Sequence, residues 1–206
     1  MPGGTSLHLE AILSKVRREI GVLFRNPDDQ LFNPTVYDEI AYSLRTLGVV
    51  EEKVKNKVRE VAEKLGISHL LSRSPFRLSV GEKKKVALAS VLAYEPNILF
   101  LDEPTSNLSS VDVEVVSKII WETREEGKTV IIASHDLEFI LQNSDYVYIM
   151  NNGQIKLKCK SEDLVKENIV ENAGLKKPLL FKVIKELNID YGKVLDILRK
   201  LRKKSR

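Results

Sequence analysis

The stretch Asn97-Ile-Leu-Phe-Leu-Asp102-Glu103-Pro104 indicates how this chain folds. Four consecutive apolar residues are typical of a buried strand, and two acids follow at the end of that strand. An aspartate at this place can hold Mg²⁺ through water, and a neighbouring carboxylate can orient a water for phosphoryl transfer. A plain strand followed by an acidic turn has the same pattern, so the stretch alone leaves both interpretations open.

Strands and helices alternate on both sides of that stretch. The apolar runs predict three buried strands, at Gly21–Phe24, Ile98–Leu101 and Thr129–Ala133. Helical patterns occupy residues 35–47, 51–65, 83–94, 111–125 and 137–142, and a strand pair at 146–150 and 154–157 follows. Gly48 and Gly66 stand where left-handed helix ends are expected. Continuous apolar strands between helices predict an α/β fold whose parallel sheet is covered on both faces.

Composition sets limits on the function. The 33 lysines and arginines against 29 acids give a net charge of +4, too small to indicate a nucleic-acid-binding protein. A single cysteine, Cys159, excludes an internal disulfide. No apolar run is long enough to cross a bilayer, so any service to a membrane requires docking on another subunit.

Two further motifs accompany the acidic one. Leu78-Ser79-Val80-Gly81-Glu82 stands directly before a predicted helix, where a hydroxyl and free amides form an anion site. A plain serine N-cap supported by Glu82 is the alternative. In Ile131-Ile-Ala-Ser134-His135-Asp136, a histidine follows a strand that we expect beside the acid-bearing one. From there His135 would reach a γ-phosphate.

In this order and spacing, over about residues 22–164, the motifs resemble those of the ATP-binding-cassette (ABC) ATPases. The resemblance implies ATP and Mg²⁺ as ligands. It assigns the signature motif, which contacts ATP held by a second subunit, to Leu78, Ser79, Gly81 and Glu82. It also implies that Asp102 binds Mg²⁺, that Glu103 activates water and that His135 stabilises the transferring phosphoryl group.

The segment Phe24–Phe32, followed by residues 34–39, is similar to the energy-coupling-factor and cobalt-type importers of that family, which take up vitamins or metal ions. The resemblance implies an ATPase domain at 1–164, with a helical subdomain at about 34–95 that docks on a transmembrane subunit. It further implies a helical extension at 165–206 that serves dimerisation. The subunit would be peripheral at the cytoplasmic face of the membrane, without a nucleic-acid partner.

The chain also departs from the family pattern. It contains no glycine-rich loop ending in Gly-Lys-Ser/Thr, the Walker A motif that cradles phosphates. We therefore expect an incomplete P-loop fold, an inactive isolated chain and a heterodimer with an intact ATPase subunit. Arg25 stands at the family's glutamine position, with Gln30 farther along, and arginine cannot coordinate Mg²⁺. Ser109 replaces the aspartate expected after Asn107-Leu108.

Two other functions remain as alternatives. The chain could be a non-catalytic module that supplies only its signature motif to an intact ATPase. A soluble DNA-repair ATPase of the same superfamily is the more remote alternative, because such proteins carry long insertions. The interval between Arg25 and Ser79 is too short to contain one.

Overall fold

The computed structural model describes residues 16–165 together with residues 186, 187, 189, 190, 193 and 197. The chain divides between Ala133 and Ser134 into two compact units. The predicted extension at 165–206 lies almost entirely outside the described residues. Its assignment, like the predicted domain boundary at 164, therefore stays a prediction.

The described part of the first unit is an α/β structure. In chain order its elements are β1 (Ile20–Leu23), α1 (Val36–Thr46), α2 (Glu51–Lys64), α3 (Val80–Leu92), β2 (Ile98–Asp102), α4 (Ser110–Glu125) and β3 (Thr129–Ala133). The three strands form a parallel sheet in the order β1-β2-β3, in which Phe100 lies between Val22 and Ile131. The predicted α/β class with a parallel sheet is confirmed.

Helices α1 and α2 end within one residue of the predicted positions. Thr35 caps α1 by accepting a hydrogen bond from the Asp38 amide, and Gly48 and Gly66 follow α1 and α2 with φ of +76° and +66°. One start was predicted wrongly: α3 begins at Val80 rather than at Lys83. Ser79 and Glu82 cap each other, which allows the helix to start three residues earlier. Of the predicted signature residues, Gly81 and Glu82 therefore lie in its first turn, and Ser79 is its N-cap.

The two faces of the sheet are covered unequally, so the expectation of two covered faces was wrong. Leu23, Leu99 and Leu101 are buried on one face. On the other face Val22, Phe100 and Ile131 are 39%, 37% and 45% exposed although they are apolar. Packing against α3 explains the buried face, because Val91 of that helix approaches Gly21 closely. No helix of the described residues covers the opposite row to a comparable extent.

The second unit contains α5 (Leu137–Asn143) and an antiparallel pair, β4 (Tyr146–Asn151) and β5 (Gln154–Lys160). Asn152 and Gly153 join the strands with φ of +50° and +72°. Two successive positive φ angles are typical of a type I′ hairpin turn, which confirms the predicted strand pair. None of the described helices is both long and apolar enough to cross a bilayer.

Candidate functional site

The acid pair lies at the carboxyl end of β2. Asp102 is the last residue of the strand and is exposed, whereas Glu103 is buried. The Glu103 amide donates to the Ala133 carbonyl at 2.8 Å, which continues the ladder with β3 for one more residue. Glu103 itself has φ of +46°, a left-handed conformation that is unusual for a side chain of this size. Such backbone outliers concentrate at functional sites.

The peptide that follows this outlier is fixed by three donors. The Glu103 carbonyl accepts hydrogen bonds from the Lys84 ammonium at 2.9 Å, from the Ser106 hydroxyl at 2.9 Å and from the Ser106 amide at 3.2 Å. The conformation of Glu103 is therefore held by its surroundings rather than by its own preference.

Lys84 reaches this carbonyl from α3 and is only 1% exposed. Its ammonium also donates to the Arg25 carbonyl at 2.7 Å. Burial lowers the pKa of Lys84, and the nearby acids Asp102 and Glu103 oppose that shift. Sequence reasoning missed this residue, although its spacing was informative. Lys84 shares the buried stripe of the helix with Ala87, Leu88 and Val91, at the i, i+3, i+4 and i+7 positions.

The loop after β1 contains Arg25 and Gln30. Arg25 is exposed, and its carbonyl rather than its guanidinium contacts Lys84. The Gln30 side chain accepts from the Phe24 amide at 3.2 Å and donates to the Ala87 carbonyl of α3 at 3.3 Å. Gln30 thus connects the loop to α3, while the role of Arg25 at the family's glutamine position stays a prediction.

The start of α3 carries the predicted signature residues. The Ser79 hydroxyl and amide both donate to the Glu82 carboxylate at 2.8 Å, and the hydroxyl accepts from the Glu82 amide at 3.3 Å. These hydrogen bonds from Ser79 lower the pKa of Glu82. The serine N-cap interpretation is therefore correct for the chain as described. An anion at this helix start would compete with Glu82 for the same donors.

Gly81 allows this helix start to pack against the loop after β2. A Cβ atom at Gly81 would lie 2.9 Å from the Asn107 carbonyl oxygen, so no larger residue fits without a shift. Leu78, just before the cap, is buried. The structure thus brings the predicted signature motif next to the segment that follows the acid pair.

Ser109 and His135 were also singled out in the sequence. Ser109 caps α4: its hydroxyl accepts from the Asp112 amide at 3.2 Å and donates to the Asp112 carboxylate at 2.8 Å. His135 is exposed and belongs to the second unit, directly before Asp136, which caps α5. Its action on a phosphoryl group at the acid pair therefore stays a prediction.

These residues fit the expected ligands in part. Carboxylate oxygens are the ligands that Mg²⁺ prefers, and Asp102 is accessible. Within the described residues no three histidine, cysteine or acidic side chains converge as a complete protein site. Mg²⁺ sites on nucleotides commonly use one or two carboxylates together with phosphate oxygens, and the acid pair fits that arrangement.

Comparison with known proteins agrees with this geometry. The profile of the ABC transporter family matches residues 4–106. A putative ABC transporter ATP-binding protein of Archaeoglobus fulgidus is 44% identical over 164 residues, which are 79% of this chain and 68% of that protein. The energy-coupling factor transporter ATP-binding protein EcfA of Methanothermobacter thermautotrophicus is 40% identical over 167 residues, which are 81% of this chain and 54% of that protein.

A solved structure is similar as well. It is cbiO1 from Clostridium perfringens, described as part of the ABC transporter complex cbiONQ. The TM-score is 0.66 at 31% identity, over 84% of this chain and 69% of that one. The chain thus spans between about half and about two thirds of the length of these relatives.

Proposed function

Because this chain belongs to the ABC transporter family of ATP-binding proteins, we propose that it is an energy-coupling ATPase subunit of a membrane importer. The similarity to an energy-coupling factor protein and to cbiO1 supports this kind of transporter. The cargo would be a small solute such as a vitamin or a metal ion, chosen by other subunits. The chain would lie at the cytoplasmic face of the membrane, paired with a transmembrane subunit and a second ATPase subunit.

One observation carries the proposal beyond family membership: a single helix connects both chemical motifs. The N-terminus of α3 provides the signature residues, and Lys84 of the same helix holds the Glu103 peptide. A helix start suits the phosphates of a nucleotide, and a fixed carboxylate suits an attacking water. In a head-to-tail dimer these two features would serve opposite nucleotide sites.

Within the proposed reaction each acid has its own task. Asp102 would hold Mg²⁺ through water, and the ion would supply neutralisation of the phosphate charge. Glu103 orients the attacking water and accepts its proton, with the left-handed peptide fixing the direction of the side chain. Ser79 and Gly81 face ATP bound to the partner subunit. For that contact the Glu82 carboxylate has to leave the Ser79 donors.

We also propose that the nucleotide site of this 206-residue chain is incomplete. The sequence offers no lysine within a glycine-rich loop for the β- and γ-phosphates. The isolated chain would therefore bind ATP weakly, and its partner would be an intact ATPase subunit that provides the phosphate loop of the other site, so the dimer would be a heterodimer. Micromolar MgATP binding to the isolated chain would contradict this part of the proposal.

A second candidate function is a non-catalytic module that supplies only the signature motif. Ser109 favours it, because this residue caps α4 with a hydroxyl where the family places an aspartate. Under this alternative Ser79 and Gly81 are still required, and Glu103 has no chemical task.

The deciding experiment measures MgATP hydrolysis by this chain mixed with an intact energy-coupling ATPase subunit. Under the main proposal, Ser79→Ala lowers turnover about tenfold, since one charge-assisted hydrogen bond is lost. Under the same proposal ATP also occupies the site of this chain within the assembly, and Glu103→Gln lowers turnover at that site by about 100-fold or more, in line with the loss of a general base. If Ser79→Ala lowers turnover and Glu103→Gln does not, the result supports the non-catalytic module instead. If the unmodified chain does not stimulate hydrolysis by the partner, both functions are contradicted.

A further inference from the structure

Lys84 is the only buried lysine or arginine among the described residues. Its neighbours on α3 are also lysines, but each pairs with a carboxylate near the surface. Lys83 lies 2.6 Å from Asp28, and Lys85 lies 2.9 Å from Asp112. Lys84 instead donates to two main-chain carbonyls.

A buried ammonium is expensive for the fold, because burial disfavours the charged form. An apolar side chain of similar length would fill the same space without that cost. The ammonium provides something that an apolar side chain cannot: two strong donors directed at two different loops. The lysine therefore serves these two carbonyls rather than the filling of the core.

The two acceptors belong to the loops that leave adjacent parallel strands. Arg25 follows β1 and Glu103 follows β2, and both lie at the carboxyl edge of the sheet, where α/β folds bind ligands. Because main-chain carbonyls move with their peptides, the ammonium fixes the backbone of both loops. One of these peptides sets the direction of the Glu103 side chain.

We propose that Lys84 is a positioning residue that couples the loop after β1 to the peptide of Glu103. It acts through backbone contacts alone and does not touch the substrate. When the loop at residues 25–30 shifts, the shared ammonium transmits the shift to Glu103. The consequence for hydrolysis rests on the proposed function, whereas the coupling of the two loops does not.

The first test measures amide hydrogen exchange by NMR in the full chain. Two amides report on the two loops: Ser106, which donates to the Glu103 carbonyl, and Leu31, which donates to the Pro27 carbonyl. In Lys84→Met we expect exchange at both amides to accelerate at least tenfold, while amides of α2 stay within twofold. If Lys84→Met does not fold, Lys84→Gln keeps neutral donors, and we expect a smaller acceleration of about threefold at both amides.

The neighbouring lysines provide matched controls. Lys83→Met removes a contact to the first loop only, so the exchange rate of the Ser106 amide should remain within twofold of that in the unmodified chain. Lys85 contacts neither Arg25 nor Glu103, so hydrogen exchange at the Leu31 amide should remain unchanged in Lys85→Met. Acceleration that is uniform over the whole unit, or unchanged exchange in Lys84→Met, would overturn the coupling.

The second test uses the hydrolysing assembly with an intact partner. Lys84→Met should lower kcat about tenfold and leave KM for ATP within twofold, with partial recovery in Lys84→Gln. A change in KM alone would contradict positioning of Glu103. If the unmodified chain supports no hydrolysis, the proposed function fails, and the exchange experiment still decides on the coupling.

Discussion

The two faces of β2 differ sharply although they consist of neighbouring residues. Leu99 and Leu101 are 1% and 2% exposed, whereas Phe100 between them is 37% exposed. The first face is packed against helices, including the one that organises the candidate site. The second is just as apolar but remains open beside Val22 and Ile131. Apolar composition alone thus identifies a strand that is suited to burial, not the number of faces that are covered.

The largest expected effect is on the free energy of unfolding, and it compares substitutions on the two faces of β2. Leu101→Ala should lower the free energy of unfolding by about 2–5 kcal/mol, since it leaves a cavity in a closed core. Phe100→Ala should cost only about 1 kcal/mol although it removes more atoms, because part of that ring already contacts water. Urea unfolding followed through the fluorescence of the single tryptophan, Trp121, measures both. Equal costs would mean that the open face is covered in solution.

A somewhat smaller effect is expected on the packed face of β1. In Gly21→Ala the new Cβ would lie 2.6 Å from Val91 Cγ1 and 2.7 Å from Pro96 Cγ. Relieving that overlap should cost about 1–3 kcal/mol of unfolding free energy. Val22→Ala, on the open face, is the matched control and should change stability by less than about 1 kcal/mol. A neutral Gly21→Ala would show that α3 can withdraw from the sheet.

The smallest effect concerns pH. Hydrogen bonds lower the pKa of Glu82 below its ordinary 4.5 and, through Lys85, the pKa of Asp112 below 3.8. Their stabilisation is therefore complete above those ordinary values and is lost as the pH falls through the lowered ones. Unfolding free energies from about pH 6 to about pH 2 should decline less steeply in Glu82→Gln than in the unmodified chain. Identical slopes would rule out a contribution from the cap.

Periodicity and end signals predicted most of the secondary structure. Thr129–Ala133 was predicted residue for residue, and Gly48 and Gly66 adopt the expected left-handed conformation. These features depend on local chemistry, which the sequence records directly. The start of α3 was misplaced because the reciprocal cap between Ser79 and Glu82 outweighs the low helix propensity of Gly81.

The candidate site was only partly predictable. The acid pair and the signature residues follow from motif chemistry, and the described structure places the loops that carry them close together through Gly81 and Asn107. The left-handed Glu103 was not predicted, because its conformation depends on donors supplied by Lys84 and Ser106. Lys84 escaped notice because a run of three lysines suggests a solvated helix face. Apart from the spacing of Lys84 on the buried stripe of α3, these tertiary contacts leave little trace in the local sequence.

The three consecutive lysines of α3 have a mechanical consequence. Successive residues leave a helix about 100° apart, so Lys83, Lys84 and Lys85 point in three directions. They are attached to Asp28, to two backbone carbonyls and to Asp112. Contacts in three directions restrict both the rotation of the helix about its axis and its sliding along that axis. The first turn of α3 is therefore in contact with three separate parts of the chain.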